Sequence, residues 1–312
     1  MSHPIPLNPV RAKQWLVGEP RLTRLLDGGV RVVAPAKINL TLWVGPRRED
    51  GFHRVESIVA TVSLVDRLTV YPASKGCELT CTNPDLPCDR NNLAIRAAMA
   101  LAERAGVPAN LRMHLEKNIP IAAGLGGGSS DAAACLMAIN DLWKTGYSNI
   151  QLGEIAAELG SDVPLFLAGP LCRIRGRGES VEPLGFDWPF WAVLLCPPFP
   201  LATAEVYRKF DELLTKAPAP AIITDCQLGL HEPESSGAVV FNMLEPAAFG
   251  IMPRLADWRK ALLAAGAKNV QLCGSGSALV CLFNSLAHAR QLVRTLEPAL
   301  QGWVRVVHGG HH

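Results

Sequence analysis

Apolar and polar residues alternate in the first strongly patterned stretch of the chain. Its apolar positions are Ile38, Leu40, Leu42 and Val44. Because successive side chains of a strand point to opposite faces, this pattern predicts a β-strand with Lys37, Asn39 and Thr41 on its polar face. A polar turn at residues 47–51 and a second β-rich run at residues 52–70 complete a predicted hairpin.

Helical periodicity and short apolar runs alternate through the remainder of the chain. The predicted helices are residues 92–105, 130–143, 152–159, 204–214, 253–265 and 285–297. The predicted strands are residues 111–115, 191–196, 270–273, 278–283 and 303–307, with two extended segments around a turn within residues 173–184. Interleaved helices and strands in the second half predict a small α+β domain there.

Length and composition indicate a folded chain of two domains. The chain has 312 residues, of which 49% are hydrophobic and 19% charged, and this composition excludes a disordered protein. The composition changes near residues 186–189, so we place a domain boundary between residues 29–189 and residues 190–312. Residues 1–28 lack periodicity and are predicted to form an extension with little structure of its own. Residues 215–238 are predicted to form a loose connection.

Charge and cysteine content exclude several classes of partner. A net charge of +2 gives no overall field that favours nucleic acid or an anionic membrane. The nine cysteines are scattered and contain no C-x-x-C, so ordinary thiols are favoured over a metal or disulfide role. Reduced thiols are typical of the cytoplasm, and neither a secretory signal nor a bilayer-spanning run is visible. We therefore expect a cytoplasmic protein, and its oligomeric state stays open.

The strongest chemical signal is a glycine-rich segment that leads directly into a helical pattern. Four glycines within five positions are followed by Ser129 and Ser130. Glycines allow the backbone to approach a ligand closely, and the amides at a helix N-terminus attract anions. The segment lacks the lysine of a P-loop, and it does not match the dinucleotide-binding fingerprint. It predicts a phosphate-binding loop, and the alternative is a flexible loop with a serine cap.

Lys37 and Asp162 gain a joint meaning beside a phosphate-binding loop. Alone, a strand lysine is more often solvated, and Asp162 before Val163-Pro164 is typical of a helix N-cap. Phosphoryl transfer to an alcohol, however, needs a carboxylate to accept the hydroxyl proton and a cation to stabilise the developing charge. His53 alone is more typical of a structural hydrogen bond. Residues 274–277 form either a tight turn or a second loop that faces the phosphates.

Three motifs together carry a resemblance to a known superfamily. They are PAKINL at residues 35–40, PIAAGLGGGSSDAA at residues 120–133 and LCGSGSALVCLF at residues 272–283. In this order they resemble the galactokinase, homoserine kinase, mevalonate kinase and phosphomevalonate kinase superfamily. Asp50-Gly-Phe-His53 and Gly160-Ser-Asp-Val-Pro164 further resemble its 4-diphosphocytidyl-2-C-methyl-D-erythritol kinases, which serve the non-mevalonate isoprenoid pathway.

The resemblance implies a fold and a set of ligands. The implied fold is a two-domain α+β small-molecule kinase, with a ribosomal-protein-S5-like N-terminal domain and a ferredoxin-like C-terminal domain. The active site is expected between the two domains. The implied ligands are ATP with Mg²⁺ and a cytidine diphosphate conjugate, whose 2-hydroxyl receives the phosphoryl group. The residues that would bind Mg²⁺ are not identified by the motifs.

The resemblance also assigns roles to individual positions. Lys37 and Asp162 match the catalytic pair, with Asp162 as the base. The ATP-binding positions are Pro120, Ile121, Ala122, Ala123, Gly124, Leu125, Gly126, Gly127, Gly128, Ser129 and Ser130. The substrate-binding positions are Asn39, Phe52, His53 and Tyr207. Among these, Phe52 and Tyr207 are expected to stack on the two faces of cytosine.

Two alternatives remain at this point. Another kinase of the superfamily, acting on mevalonate, homoserine or a sugar, would not need a nucleobase pocket and so would not need Phe52, His53 and Tyr207. A non-catalytic nucleotide sensor on the same scaffold would bind ATP without releasing ADP, and the presence of Lys37 and Asp162 argues against it.

Overall fold

The computed structural model describes residues 21–185, 188–214, 240–296 and 303–310, which form a mixed α+β fold. The strands are β1 Leu22–Arg24, β2 Val30–Arg47, β3 His53–Pro72, β4 Cys77–Cys81, β5 Leu111–Glu116, β6 Leu171–Gly176, β7 Ser180–Pro183, β8 Phe190–Cys196, β9 Phe241–Asn242, β10 Gln271–Leu272, β11 Leu279–Phe283 and β12 Trp303–Gly309. The helices are α1 Leu93–Ala105, α2 Gly127–Trp143, α3 Asn149–Leu159, α4 Leu165–Ala168, α5 Thr203–Leu214, α6 Glu245–Ile251, α7 Arg254–Ala264 and α8 Leu286–Leu296.

The described strands form two sheets. In the first sheet β1, β2, β3, β5 and β4 lie side by side in that order, β6 and β7 extend it from β3, and β9 pairs with β2. The long β2 and β3 form the predicted hairpin and pair antiparallel. The second sheet has the order β10, β11, β8, β12, and all its neighbouring strands are antiparallel. It begins with β8 at Phe190, next to the predicted domain boundary, which stays a prediction.

A bulge in β2 changes which residues share a face. The pairing of β2 with β3 shifts register between Asn39 and Thr41. Lys37 and Asn39 share a face as predicted, because the Lys37 ammonium donates a 2.8 Å hydrogen bond to Asn39 Oδ1. The prediction was wrong for Thr41, which lines a separate small cavity, whereas Leu42 lines the large cavity together with Lys37. An inserted residue reverses the alternation of faces beyond it, which strict alternation cannot anticipate.

Three apolar clusters stabilise these layers. One lies between the first sheet and α1 to α4, and includes Leu101, Leu136 and Phe166. A second packs β8 against α5 to α8. The third joins the inner faces of the two sheets, where Ile38 meets residues such as Leu194 of β8. The site residues of β2 therefore stand on a strand that is packed from both sides.

Local signals explain where several helices begin and end. Asn92 caps α1 by accepting a hydrogen bond from the amide of Ala94, and Gly106 ends it in the left-handed conformation with φ 66°. Ser148 and Gln151 form a reciprocal capping box at the start of α3. These caps confirm the predicted helices, although α3 begins three residues before the predicted residue 152.

Two predictions about chain organisation are corrected. Helix α2 begins at Gly127 rather than Ser130, so the last glycines of the predicted loop form the first helical turn. The predicted extension is not without structure at its end, because Leu22–Arg24 pairs antiparallel with Val30–Val32. Arg24 also forms an ion pair with Asp141 of α2, with nitrogen and oxygen 2.7 Å apart. Residues 1–20 and the predicted connection at 215–238 lie outside the described residues.

In the parts of the chain that the structure describes, every helix is too short or too polar to cross a membrane.

Replacing Phe166 tests how much the support beneath the glycine-rich segment contributes to stability. Phe166 is fully buried, and its ring lies close enough to Gly126 that a Cβ there would be 2.9 Å from Phe166 Cζ. We expect Phe166→Ala to lower the free energy of unfolding by about 3–5 kcal/mol in urea denaturation. The control Ile150→Ala removes a 72% exposed side chain, and should change it by less than about 0.5 kcal/mol. Equal losses in the two variants would contradict this packing.

Candidate active site

A cavity of about 840 Å³ brings together residues from seven separate parts of the chain. Its walls are β2 and the start of β3, the glycine-rich segment, the turn between α3 and α4, the end of β6 with the turn after it, the start and one face of α5, Leu244, and the loop that contains Gly274. Among the predicted site residues, the lining includes Lys37, Asn39, Phe52, His53, Gly124, Gly126, Asp162 and Tyr207. The structure therefore places the predicted catalytic pair and the four predicted substrate-binding positions in one cavity with two of the eleven predicted ATP-binding positions, and the other nine do not line it.

Glycine is required at two positions of the segment by close backbone contact. A Cβ on Gly124 would lie 2.0 Å from the carbonyl oxygen of Cys273, and Gly124 has a φ of 80°. A Cβ on Gly126 would lie 2.9 Å from Cγ of Lys37. Backbone hydrogen bonds tie the segment to both neighbours, from the Lys37 amide to the Leu125 carbonyl at 2.9 Å and from the Ala278 amide to the Ala123 carbonyl at 3.1 Å. The glycines thus let three chain segments meet at the cavity.

The N-terminus of α2 supplies the amides that an anion would use. Helix α2 begins at Gly127, and the first backbone bond into it runs from the Ser130 amide to the Gly126 carbonyl at 2.9 Å. The amides of residues 127–129 therefore precede the regular helical bonds, and the helix dipole adds positive potential there. Ser130 does not line the cavity, and its side-chain oxygen is buried with no hydrogen-bond partner among the described residues.

A buried charged cluster supports this helix from below. Lys117 Nζ contacts Asp66 and lies 2.8 Å from Asp131 Oδ2, and the three side chains are at most 3% exposed. Asp66 also accepts the Ile119 amide at 2.9 Å. Burial raises the pKa of Asp131 to about 7, against the opposing effect of Lys117. The cluster fixes the segment 117–131 to β3, and sequence reasoning did not identify it.

Lys37 and Asp162 approach each other at the floor of the cavity. Lys37 Nζ lies 3.7 Å from Asp162 Oδ2, and the side chains are 7% and 39% exposed. Asn39 holds the lysine from the other side and donates a 2.8 Å hydrogen bond to Ser57 Oγ. Asp162 is not the N-cap of α4, since that position is Pro164. Its carboxylate is therefore directed at a buried ammonium and is still reachable from the cavity.

Three of the predicted substrate residues line the cavity together, whereas the fourth, Asn39, contacts Lys37. His53 and Tyr207 have ring centroids 5.1 Å apart, and Phe52, which is 53% exposed, lies 5.0 Å from the guanidinium of Arg177. Burial raises the pKa of Tyr207 to about 12, with a further contribution from Asp162, so its phenol is neutral. The ring contacts of the described residues pair Tyr207 with His53 rather than with Phe52. The two-sided stacking of a base stays a prediction.

Sequence reasoning missed several charged residues of the cavity. These are Arg47, Arg177, Arg208 and Asp211. Counting one helical period from Tyr207 identifies Asp211 on the same face of α5, whereas Arg208 directly follows Tyr207 in the sequence. Gly274 and Ser275 also line the cavity, and a Cβ on Gly274 would lie 3.3 Å from Lys37 Nζ. The loop at residues 274–277 therefore faces the cavity next to the phosphate-binding segment.

Comparisons with protein families and with solved structures point to the same class of protein. Residues 92–170 match the N-terminal domain of GHMP kinases, and residues 227–300 match the C-terminal GHMP kinase domain. A mevalonate kinase of L. major has the same fold, with a TM-score of 0.70 at 16% identity, covering 93% of this chain and 97% of that one. The fold and the glycine-rich site define the class as GHMP kinases, and the predicted fold class is confirmed.

Closer relatives narrow the family. A 4-diphosphocytidyl-2-C-methyl-D-erythritol kinase of Pelotomaculum thermopropionicum is 43% identical over 84% of this chain and 92% of its own length. One from Streptomyces coelicolor is 39% identical over 86% and 92%. A crystal structure of a 4-(cytidine 5'-diphospho)-2C-methyl-D-erythritol kinase superimposes with a TM-score of 0.75 at 38% identity, covering 90% of this chain and all of that one. The chain belongs to the family of 4-diphosphocytidyl-2-C-methyl-D-erythritol kinases.

Replacing Gly124 tests the close contact on which the cavity floor depends. A methyl group in Gly124→Ala would overlap the Cys273 carbonyl and strain a positive φ, so we expect a loss of stability above about 2 kcal/mol and an increased KM for ATP. The matched control is Gly153→Ala in α3, where a Cβ meets nothing within 4 Å. There, stability should stay equal or rise by about 0.5–1 kcal/mol. A Gly124→Ala variant as stable and active as the control would contradict the contact.

The buried cluster predicts a pH dependence of stability. Folding raises the pKa of Asp131 from 3.8 to about 7. Between these two pH values the Asp131 carboxyl is therefore protonated in the folded protein and ionised in the unfolded chain. This group therefore lowers stability as pH rises from about 4 to about 7. We expect Asp131→Asn to remove that part of the decline when unfolding by urea is measured at several pH values. An unchanged slope in the variant would assign the decline to other groups.

Proposed function

We propose that this protein transfers the γ-phosphoryl group of ATP to the 2-hydroxyl of 4-diphosphocytidyl-2-C-methyl-D-erythritol. The proposal rests on one observation above all: the Lys37–Asp162 pair, 3.7 Å apart, lies in the same cavity as Gly124 and Gly126. GHMP kinases use ATP as phosphoryl donor, which agrees with a phosphate-binding segment at this place.

Asp162 is the proposed general base. Its carboxylate can accept the proton of a substrate hydroxyl as the hydroxyl oxygen bonds to the γ-phosphorus. At the same time the bond between that phosphorus and the oxygen shared with ADP breaks, and ADP leaves with the electron pair. One proton is thus moved from the alcohol to Asp162, and the products are ADP and a phosphate ester.

Lys37 is the proposed electrostatic partner. Its ammonium is 7% exposed in the side chain and is held by Asn39 Oδ1. A cation fixed at this distance stabilises the charge that develops on the attacking oxygen. Because β2 is packed from both sides, Lys37 needs little reorganisation during the reaction.

The amides at the start of α2 and the cavity cations are proposed to hold phosphate charge. Lys37, Arg47, Arg177 and Arg208 line the cavity against Asp162 and Asp211, which leaves a cationic surplus. Such a surplus suits two polyanionic ligands, a triphosphate and a diphosphate conjugate. We assign Phe52, Asn39, His53 and Tyr207 to the substrate end, and residues 120–130 to the ATP end.

Mg²⁺ is proposed to accompany the nucleotide rather than to occupy a protein cage. Within the described residues, no group of three or more histidine, cysteine or acidic side chains is arranged to hold a metal ion. Mg²⁺ is commonly held by substrate phosphates and water with few protein ligands, and it neutralises charge on the β- and γ-phosphates when bound.

The cytoplasm is the proposed location. All eight cysteines in the described residues are free thiols, and five of them are buried. Unpaired thiols suit a reducing compartment.

Replacing the proposed base tests the reaction directly. Asp162→Asn keeps the size of the side chain but cannot accept the hydroxyl proton, so we expect kcat to fall by about 10²–10⁴-fold. Binding of ATP, measured by calorimetry, should change little. The matched control Asp141→Asn removes a surface partner of Arg24, and it should keep kcat within about twofold.

The substrate assignment is tested with a panel of alcohols at saturating ATP. We expect ADP release with the cytidine diphosphate conjugate and none above background with mevalonate or homoserine. Turnover of mevalonate without turnover of the conjugate would move the protein to another branch of the superfamily. Near-normal turnover by Asp162→Asn would remove Asp162 from the mechanism, while binding of ATP with no turnover of any alcohol would favour a sensor.

A further inference from the structure

Asp211 is a carboxylate of the cavity that the proposed reaction does not use. It lies on α5, and its Oδ1 is 3.3 Å from Nε2 of His53. The side chain of His53 is 6% exposed and that of Asp211 is 34% exposed, so the contact is partly shielded from water. The contact links the beginning of β3 to α5, which follows β8 in the chain.

The hydrogen bond between His53 and Gly45 determines which ring nitrogen of His53 carries a hydrogen. Nδ1 of His53 lies 2.9 Å from the carbonyl oxygen of Gly45, which can only accept, so Nδ1 carries a hydrogen. A ring with its only proton on Nδ1 would present a lone pair from Nε2 to the carboxylate of Asp211. Two acceptors repel each other at this distance. When Nε2 also carries a proton, the two atoms instead attract each other as an ion pair.

Helix α5 holds the imidazole with two further side chains. Tyr207 and Phe210 have ring centroids 5.1 Å and 5.9 Å from that of His53. Together with Asp211 they occupy positions i, i+3 and i+4, which share one face of a helix. The other charged groups that line this part of the cavity are Arg47 of β2, Arg208 of α5 and Arg177 of the turn after β6. The imidazole is therefore fixed by β2 at one nitrogen and by α5 at its face and other nitrogen.

This arrangement limits what His53 can do for a ligand. Both ring nitrogens are engaged within the protein, so the side chain does not offer a free hydrogen-bonding group to a nucleobase. The fixed ring instead sets the separation between α5 and the hairpin residues next to it, including Phe52. The width of the cavity between these residues depends on that separation.

We propose that Asp211 is a positioning residue that shapes the subsite for the cytidine diphosphate part of the substrate by holding His53. This inference rests on the proposed function, because it concerns how that substrate is selected. Asp211 does not contact the Lys37–Asp162 pair, so its contribution belongs to binding of the conjugate rather than to the chemical step.

The test compares kinetic constants of Asp211→Ala and Asp211→Asn with those of the wild type. We expect Asp211→Ala to raise KM for the cytidine diphosphate conjugate by about tenfold or more, while kcat and KM for ATP stay within about twofold. Asp211→Asn keeps an oxygen that accepts a hydrogen from Nε2 and should recover part of the loss. The isosteric variant also serves as the test if Asp211→Ala does not fold.

A double-mutant cycle with His53→Ala shows whether Asp211 acts through the histidine. In the His53→Ala background, Asp211→Ala should have little further effect on KM for the conjugate, because the contact is already absent. The control Glu205→Ala removes an exposed carboxylate of the same helix that does not line the cavity. It should leave all three kinetic constants unchanged within about twofold.

Three outcomes would overturn the inference. They are an unchanged KM for the conjugate in both Asp211 variants, equal losses in kcat and in KM for ATP, and full additivity with His53→Ala. Wild-type turnover of the conjugate is measured in the same series. If the wild type turns it over and the Asp211 variants do too with unchanged KM, only the role of Asp211 fails. If the wild type does not turn it over, the proposed function fails first.

Discussion

The close approach of the glycine-rich segment to its two neighbours is the constraint on which the site depends. A Cβ on Gly124 would lie 2.0 Å from the carbonyl oxygen of Cys273, and a Cβ on Gly126 would lie 2.9 Å from the Lys37 side chain. No side chain larger than hydrogen fits such contacts without displacement. Because these contacts exist, the start of α2, the buried lysine of β2 and the loop after β10 all face one cavity.

The remainder of the fold holds these three segments in place. The Lys117, Asp66 and Asp131 cluster ties the segment to β3 from below, and Phe166 fills the space beneath Gly126. The apolar layer between the two sheets anchors β2, so Lys37 and Asn39 occupy fixed positions. Preorganised charges of this kind stabilise a transition state without the cost of rearranging at the moment of reaction.

Sequence reasoning identified the parts of the site that are encoded locally. The four glycines, the alternation around Lys37 and the helical period of α1 and α2 each follow from residue type and spacing over a short stretch. The bulge at Asn39 was not predictable in the same way, because register is decided by pairing with β3. The start of α2 was placed too late because glycines are poor helix formers, yet the helix begins at Gly127. The chemistry of phosphoryl transfer paired Lys37 with Asp162, and the resemblance assigned the two residues their catalytic roles.

The residues that were missed are those whose role depends on contacts across the chain. Lys117 and Asp66 are 51 positions apart, and His53 and Asp211 meet only because α5 packs beside the hairpin.

One carboxylate and one amide-lined phosphate site are proposed to act on the same alcohol. The most direct measurement is a crystal structure with a non-hydrolysable ATP analogue and the cytidine diphosphate conjugate bound together. The account predicts the 2-hydroxyl within hydrogen-bond distance of Asp162 and about 3–3.5 Å from the γ-phosphorus. A γ-phosphate held away from Asp162, with another group next to the hydroxyl, would contradict it.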